Sequence, residues 1–122
     1  MAKVLVIDDD ELMLNVLTSQ LQDEGYVLMS TADGPRGIEL YRVERPDVVI
    51  LDIGLPSVSG VDVLKEIKRI DPGAKVIIIT GYPSSQMQEE SMRNGAFAFY
   101  EKPGVIRLLR KAVQQALDAP KS

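Results

Sequence analysis

Cysteine and histidine are both absent from the 122-residue sequence. Without cysteine, the chain has no disulfide, no thiolate metal site and no cysteine nucleophile. Without histidine, it lacks the commonest general base and a frequent metal ligand. Any chemistry that this protein carries out must therefore use carboxylates, hydroxyls and lysine.

The sequence also lacks an excess of positive charge and a long hydrophobic run. Eighteen acidic residues against fourteen basic ones give a net charge of -4, so we expect no direct binding to nucleic acid or to an anionic membrane. No apolar run approaches the roughly eighteen residues of a membrane span. The first run, residues 4–7, is too short for a signal peptide. These absences predict a cytoplasmic protein.

The composition, with 45% hydrophobic and 26% charged residues, is that of an ordinary globular protein. A chain of this length is typical of one domain and can bury a core without disulfides or metals. We therefore predict a single domain over residues 1–122, with a core from about residue 3 to 118.

Five short segments have the composition of strands. Three of them are continuous apolar runs rich in β-branched residues, which is typical of strands buried on both faces. The second strand is less apolar, and we place it at a sheet edge. The predicted strands are residues 4–7, 26–31, 48–52, 76–80 and 98–101.

Five helical patterns alternate with these strands and are predicted at about residues 11–24, 34–45, 60–70, 84–94 and 105–117. The fourth has only Met87 and Met92 as large apolar residues, so we expect it to be loosely held. The fifth has an apolar stripe that consists of Val105, Leu108, Leu109, Ala112, Val113 and Ala116.

The alternation of strands and helices predicts a three-layer α/β domain with a parallel sheet. Right-handed crossovers bring the carboxyl ends of all strands to one rim, where ligands bind in such folds. That rim gathers the acidic run Asp8 to Asp10, then Asp52, Thr80 and Lys102. Each has a structural alternative, as a helix cap, a turn residue or a surface base. Their shared position favours a functional site.

Several carboxylates at one place repel each other unless a positive charge intervenes. Because the ligands would all be oxygens, a divalent metal there should be hard, with Mg²⁺ first and Mn²⁺ next. A metal beside a carboxylate, a lysine and a hydroxyl resembles a phosphoryl-transfer site. One carboxylate can serve as the nucleophile, with the lysine and threonine contacting the phosphoryl oxygens.

Together these motifs resemble the receiver domain of bacterial two-component response regulators. The resemblance rests on Asp8-Asp9, on the pattern D-x-x-x-P-x-x-x-G from Asp52 to Gly60, on residues 76–81, and on Lys102-Pro103. It extends over residues 4–117. It implies a flavodoxin-like three-layer sandwich, with a five-stranded parallel sheet in the order 2-1-3-4-5 and five helices.

The resemblance implies that Asp52 accepts a phosphoryl group from the phosphohistidine of a sensor histidine kinase or phosphotransfer protein. Mg²⁺ would be held by Asp9, Asp52 and the backbone carbonyl of Gly54, with Asp8 assisting through water. Such a chain is a regulatory domain that catalyses its own phosphotransfer and autodephosphorylation, rather than a stand-alone enzyme.

The resemblance also implies a switch. Thr80 and Lys102 would contact the phosphoryl group, and the Lys102-Pro103 bond would be cis. On phosphorylation Thr80 would move towards the phosphoryl group, and Phe99 would swing inward. The surface formed by the fourth helix, fifth strand and fifth helix would then change for a downstream output domain or protein.

Two features depart from common family patterns. The segment 95–99 lacks the acidic residues that pair across the dimer of winged-helix DNA-binding members, so that dimer is not expected, although phosphorylation-dependent dimerisation is left open. Phe97 there is predicted to mark an apolar partner-binding patch. Gly54 and Tyr82 lack an acid or amide to steer a hydrolytic water, and Tyr82 could shield the site. We therefore predict a long phosphoryl lifetime.

Three other kinds of protein share some of these features. In a haloacid-dehalogenase-like phosphatase, Asp8 would be the nucleophile, but Asp52 would have no role and the later pair of metal-binding acids is absent. In a flavin-binding domain, three consecutive aspartates would repel the phosphate of the cofactor. A degenerate receiver used only for binding is the third, but every phosphotransfer position is filled. Both a single-domain regulator and a piece of a longer protein remain open.

Overall fold

The computed structural model describes residues 1–54, 59–102 and 104–120. Strands and helices alternate along the chain as predicted. The elements are β1 (Lys3–Ile7), α1 (Glu11–Leu21), β2 (Val27–Thr31), α2 (Gly34–Glu44), β3 (Val48–Asp52), α3 (Gly60–Ile70), β4 (Val76–Thr80), α4 (Ser85–Arg93), β5 (Ala98–Glu101) and α5 (Val105–Asp118). Among these helices none is long and apolar enough to cross a membrane.

All strands are parallel and lie in the order β2-β1-β3-β4-β5. This order confirms the expected flavodoxin-like sheet and places β2 at an edge. Because β1, β3 and β4 are inside the sheet and have helices on both faces, their side chains are buried almost without interruption. Their carboxyl ends therefore form a rigid rim.

The core consists of two apolar layers, one on each face of the sheet. Alternate residues of a strand point to opposite faces, so Leu5 and Ile7 enter one layer while Val4 and Val6 enter the other. The first layer is completed by α2 and α3, and the second by α1 and α5. Half-buried Met87 and Phe99 pack against the first layer, which places α4 on that side.

The structure corrects one expectation for the helical surfaces and agrees with another. The predicted stripe of α5 includes both Leu108 and Leu109. Leu109 is buried as predicted, but Leu108 is 48% exposed. In α4, Met92 is 44% exposed and only Ser91 is fully buried. The expectation of a weakly anchored α4 thus agrees with its burial pattern.

The first predicted helix is also divided. α1 ends at Leu21, and a single 3₁₀ turn, Gln22–Glu24, leads to Gly25, whose φ of 78° lies in the left-handed region. A glycine adopts that conformation at no steric cost. The chain can therefore reverse there before it enters β2.

Gly60 closes the loop that follows β3. Its amide donates to the carbonyl of Ile53 at 3.0 Å, and a Cβ at this position would stand only 2.3 Å from the Cα of Ile53. Because that neighbour is backbone, it cannot move aside as a side chain can. The last position of the D-x-x-x-P-x-x-x-G pattern is therefore a close approach of two backbone segments.

Lys75 connects the start of β4 to the end of α5. Its Nζ donates to the main-chain carbonyls of Ala116 and Ala119. The last carbonyls of a helix lack partners within the helix and carry partial negative charge. The ammonium group therefore caps the carboxyl end of α5 and fixes it against the sheet.

Candidate functional site

The carboxyl ends of β1, β3 and β5 bring two carboxylates and one lysine together. Asp8, directly after β1, is completely buried, and Asp52, the last residue of β3, is 6% exposed. The Nζ of Lys102 lies 2.9 Å from Asp8 Oδ2 and 3.2 Å from Asp52 Oδ2. The ammonium group of Lys102 therefore bridges the two carboxylates.

Main-chain amides orient both carboxylates in the same way. The amide of Asp10 donates to Asp8 Oδ1 at 3.0 Å, and the amide of Gly54 donates to Asp52 Oδ1 at 3.0 Å. In each case the donor lies two residues after the acid, which is the hydrogen-bond pattern of an Asx turn. One oxygen of each acid is thus fixed by backbone and the other contacts Lys102.

Asp9 completes an acidic cluster. Single carboxylate oxygens of Asp8, Asp9 and Asp52 all lie within 4.8 Å of one another. Lys102 offsets only one of the three negative charges when all are ionised. The donors are carboxylate oxygens, as hard divalent cations such as Mg²⁺ prefer, so these residues fit the expected ion.

Asp10, the third member of the acidic run, has a different role. Its Oδ1 accepts from the amides of Leu12 and Met13 at 3.0 and 3.2 Å, so it caps the amino end of α1. Residue chemistry alone did not separate capping from metal binding within the run from Asp8 to Asp10, although the family resemblance implied a metal role for Asp8 and Asp9 only. The structure assigns the first two acids to the cluster and the third to the helix.

The electrostatics of the cluster raise the pKa of two of its acids, Asp8 and Asp9. Burial raises the pKa of Asp8, and the charge of Asp52 adds to this, although Lys102 and the amide of Asp10 pull the pKa down. Partial burial raises the pKa of Asp9, as do the charge of Asp52 and a hydrogen bond with it. Burial alone would lower the pKa of Lys102, but its contacts with Asp8 and Asp52 outweigh burial and raise it. Lys102 is therefore cationic at neutral pH.

Thr80 ends β4 on the same rim and is 3% exposed. Its hydroxyl accepts from the amide of Tyr82 at 3.1 Å, which leaves the hydroxyl proton available for another acceptor. Its carbonyl accepts from the amide of Lys102 at 2.8 Å. The backbone thus holds Thr80 and Lys102 next to each other.

Phe99 and Tyr82 lie beside this site. Half-buried Phe99 faces the α4 side of the sheet and helps to line a groove of about 370 Å³, together with Pro83, Ser84, Ser85, Gln88 and Glu101. Tyr82 is 89% exposed. The idea that Tyr82 shields the site is therefore wrong for this conformation, because its ring points into solvent. Pro56 of the motif and the predicted cis bond before Pro103 lie outside the described residues.

Phe97 lies away from the acidic cluster. It precedes β5, its amide donates to the carbonyl of Val76 at 2.8 Å, and it is 36% exposed. Since Val76 begins β4, Phe97 is at the amino edge of the sheet. Exposed Met92 on α4 and Leu108 on α5 belong to the elements on either side of β5.

The family model described as "Response regulator receiver domain" matches residues 4–114. The chain belongs to this family. The receiver domain is 36% identical over 115 residues to sporulation initiation phosphotransferase F of Bacillus subtilis, covering 94% of this chain and 93% of that protein. The haloacid-dehalogenase alternative has no support from these comparisons.

Solved structures of similar chains agree with the fold of this receiver domain. A CheY-like response regulator receiver domain protein from Methanospirillum hungatei superposes with a TM-score of 0.92 at 30% identity, over 97% of this chain and 94% of that chain. A structure titled "BeF3 Activated DrrB Receiver Domain" superposes with a TM-score of 0.87 at 28% identity, over 98% and 99%. The receiver fold thus accounts for nearly the whole chain.

Proposed function

We propose that this receiver domain accepts a phosphoryl group on Asp52 from a phosphohistidine of a sensor histidine kinase or phosphotransfer protein. The observation that carries the proposal is the position of the Asp52 carboxylate, fixed between the Gly54 amide and the Lys102 ammonium group. In the transfer, a carboxylate oxygen of Asp52 forms a bond to phosphorus while the phosphorus–nitrogen bond of the donor breaks. The imidazole is the leaving group.

Mg²⁺ is the proposed cofactor, with Mn²⁺ as a substitute. Asp8, Asp9 and Asp52 would hold it, together with the backbone carbonyl of Gly54. The ion would neutralise negative charge on the carboxylates and on the phosphoryl oxygens. The spacing of the three acids supports this proposal, since they otherwise repel each other.

Lys102 and Thr80 would contact the oxygens of the phosphoryl group on Asp52. The ammonium group of Lys102 is already within 3.2 Å of Asp52 Oδ2 and would pair with a phosphoryl oxygen. Thr80 would turn towards the phosphoryl group and donate its hydroxyl proton to it, giving up the bond from the Tyr82 amide. We propose that the domain catalyses both its own phosphorylation and its own dephosphorylation.

The proposed output is a change in the α4, β5 and α5 surface. Thr80 would move towards the phosphoryl group and Phe99 would turn into the groove beside α4. Exposed Phe97, Met92 and Leu108 supply apolar area for a downstream protein or output domain, or for a phosphorylation-dependent dimer. A single receiver domain over residues 1–122 and a cytoplasmic location are part of the same proposal.

Acetyl phosphate with Mg²⁺, followed by mass spectrometry, tests the site. We expect one phosphoryl group on Asp52, no labelling of Asp52→Asn, and normal labelling of Asp62→Asn, which changes an exposed acid on α3. Labelling that persists in Asp52→Asn and disappears in Asp8→Asn would overturn the assignment.

Substitution at Phe97 tests the partner surface. Phe97→Asp should weaken dimerisation or capture of the cognate output protein, because a charge would replace apolar contact area. Val43→Asp is the control, since Val43 is 67% exposed on α2, far along the chain from this surface. If Phe97→Asp behaves like the control in both assays, the patch has no role.

A further inference from the structure

Ser91 is the one fully buried residue of α4, and its hydroxyl is unpaired. The side chain is 0% exposed, and its Oγ has no hydrogen-bond partner within residues 1–54, 59–102 and 104–120. A buried hydroxyl without a partner destabilises the arrangement that buries it by about 1–3 kcal/mol. The packing of α4 against the sheet is therefore less stable than it would be with a paired or apolar side chain at this position.

Neighbouring helices show what this position lacks. α3 fully buries Val63, Leu64 and Ile67, which are all apolar. In α4, the only apolar residue packed against the core is half-buried Met87, one turn before Ser91. A hydroxyl thus occupies the most buried point of the least apolar helix, where an apolar side chain would stabilise the packing.

The helix itself is well formed, so the unpaired hydroxyl destabilises its packing against the sheet and not the helix. Ser84 Oγ accepts from the main-chain amide of Met87 at 3.1 Å and caps the amino end. At the other end, the side-chain amide of Asn94 donates to the carbonyl of Glu90 at 2.8 Å. Capped at both ends but held by little apolar surface, α4 is suited to move as a unit.

A short segment of chain links α4 to the phosphorylation site. The Thr80 hydroxyl accepts from the Tyr82 amide, and two residues later Ser84 caps α4. If Thr80 turns towards a phosphoryl group, this bond to Tyr82 is broken and the start of α4 is released. The groove beside Phe99 is walled by Ser84 and Gln88, so the space for that ring also depends on where α4 lies.

We propose that the unpaired Ser91 hydroxyl destabilises the packing of α4 against the sheet in the unphosphorylated protein. It thereby sets how readily α4 shifts when Asp52 is phosphorylated. A shifted position of α4 that gives the hydroxyl a protein or water partner is stabilised by the hydrogen bond that is missing in the present position. The link to Asp52 rests on the proposed function. The destabilisation of α4 does not, so the two parts can be tested separately.

Ser91→Ala tests the destabilisation in the unmodified protein. Amide hydrogen exchange in α4 should slow by about fivefold, and the midpoint of thermal unfolding should rise. Ser19→Ala is the matched control, since it makes the same change at an exposed position of α1 and corrects for the higher helix propensity of alanine. If Ser91→Ala gains no more stability than Ser19→Ala, the hydroxyl is already satisfied and the proposal fails.

Titration with beryllofluoride and Mg²⁺ tests the link. Because Ser91→Ala stabilises α4 in the position that it has in the unphosphorylated protein, the apparent affinity of this variant for beryllofluoride should fall by about fivefold. The affinity of Ser19→Ala should match that of the wild type. Equal affinities of wild type and Ser91→Ala would overturn the link and leave the proposed function standing. Failure of the wild type itself to respond would overturn the proposed function and the link together, and hydrogen exchange would still decide the destabilisation.

Discussion

Replacing Asp9 by asparagine should stabilise the metal-free protein and remove most of its response to Mg²⁺. The carboxylate oxygens of Asp9, Asp8 and Asp52 lie within 4.8 Å of one another. At such a separation two unit charges repel by about 1 kcal/mol in water and by about 3.5 kcal/mol at an effective dielectric constant of 20. Because Asp9 is exposed and Lys102 offsets part of the charge, we expect a gain near the lower figure.

Urea unfolding in EDTA and in Mg²⁺ measures both effects. Mg²⁺ at ten times its dissociation constant should stabilise the wild type by about 1.4 kcal/mol, and Asp9→Asn should gain much less because a ligand carboxylate is missing. Asp10→Asn is the control. Asp10 caps α1, asparagine caps a helix about as well as aspartate, and this variant should follow the wild type in both solutions.

Two results with Asp9→Asn would contradict this expectation. An Asp9→Asn protein that is less stable than the wild type in EDTA would show that the three carboxylates do not repel each other as their spacing requires. An Asp9→Asn protein that gains as much stability from Mg²⁺ as the wild type would show that the ion, if bound, lies elsewhere.

Three further predictions concern packing, pH and lifetime. Gly60→Ala should lower the free energy of unfolding by about 3 kcal/mol, since its Cβ would meet backbone at 2.3 Å; a change within 0.5 kcal/mol in urea would contradict the close approach. Because the pKa of Asp9 is raised in the folded state and asparagine does not titrate, the metal-free stability of the wild type should fall relative to that of Asp9→Asn as pH rises from about 3.8 through the raised pKa; a stability difference that does not change with pH would refute this. The acyl phosphate should persist well beyond seconds, since neither Gly54 nor Tyr82 offers an acid or amide for the attacking water; release of phosphate within seconds would show another source of that assistance.

The strands and the rim were predictable because they depend on local composition and on a general rule of chain topology. Short continuous runs of β-branched residues favour buried strands, and parallel strands with right-handed crossovers place their carboxyl ends on one side. Asp8, Asp52 and Lys102 were therefore expected together, and their side chains are in contact.

The helical surfaces were less predictable because helix orientation is set by packing. Leu108 and Leu109 differ by about 100° around the helix axis, and periodicity does not say which of them marks the edge of the buried stripe. Ser91 gave no signal at all, since a serine in a polar helix is ordinarily solvated. Its burial follows from the position of α4 on the sheet, which no local pattern contains.

The cap that Lys75 places on α5 has a practical consequence for labelling. Because Nζ of Lys75 donates to the carbonyls of Ala116 and Ala119, the last turn of α5 is held against the start of β4. A fluorophore attached rigidly at exposed Gln115 would therefore tumble with the whole domain. Its fluorescence anisotropy would report changes in molecular size, such as dimer formation, with little contribution from fast local motion of the fluorophore.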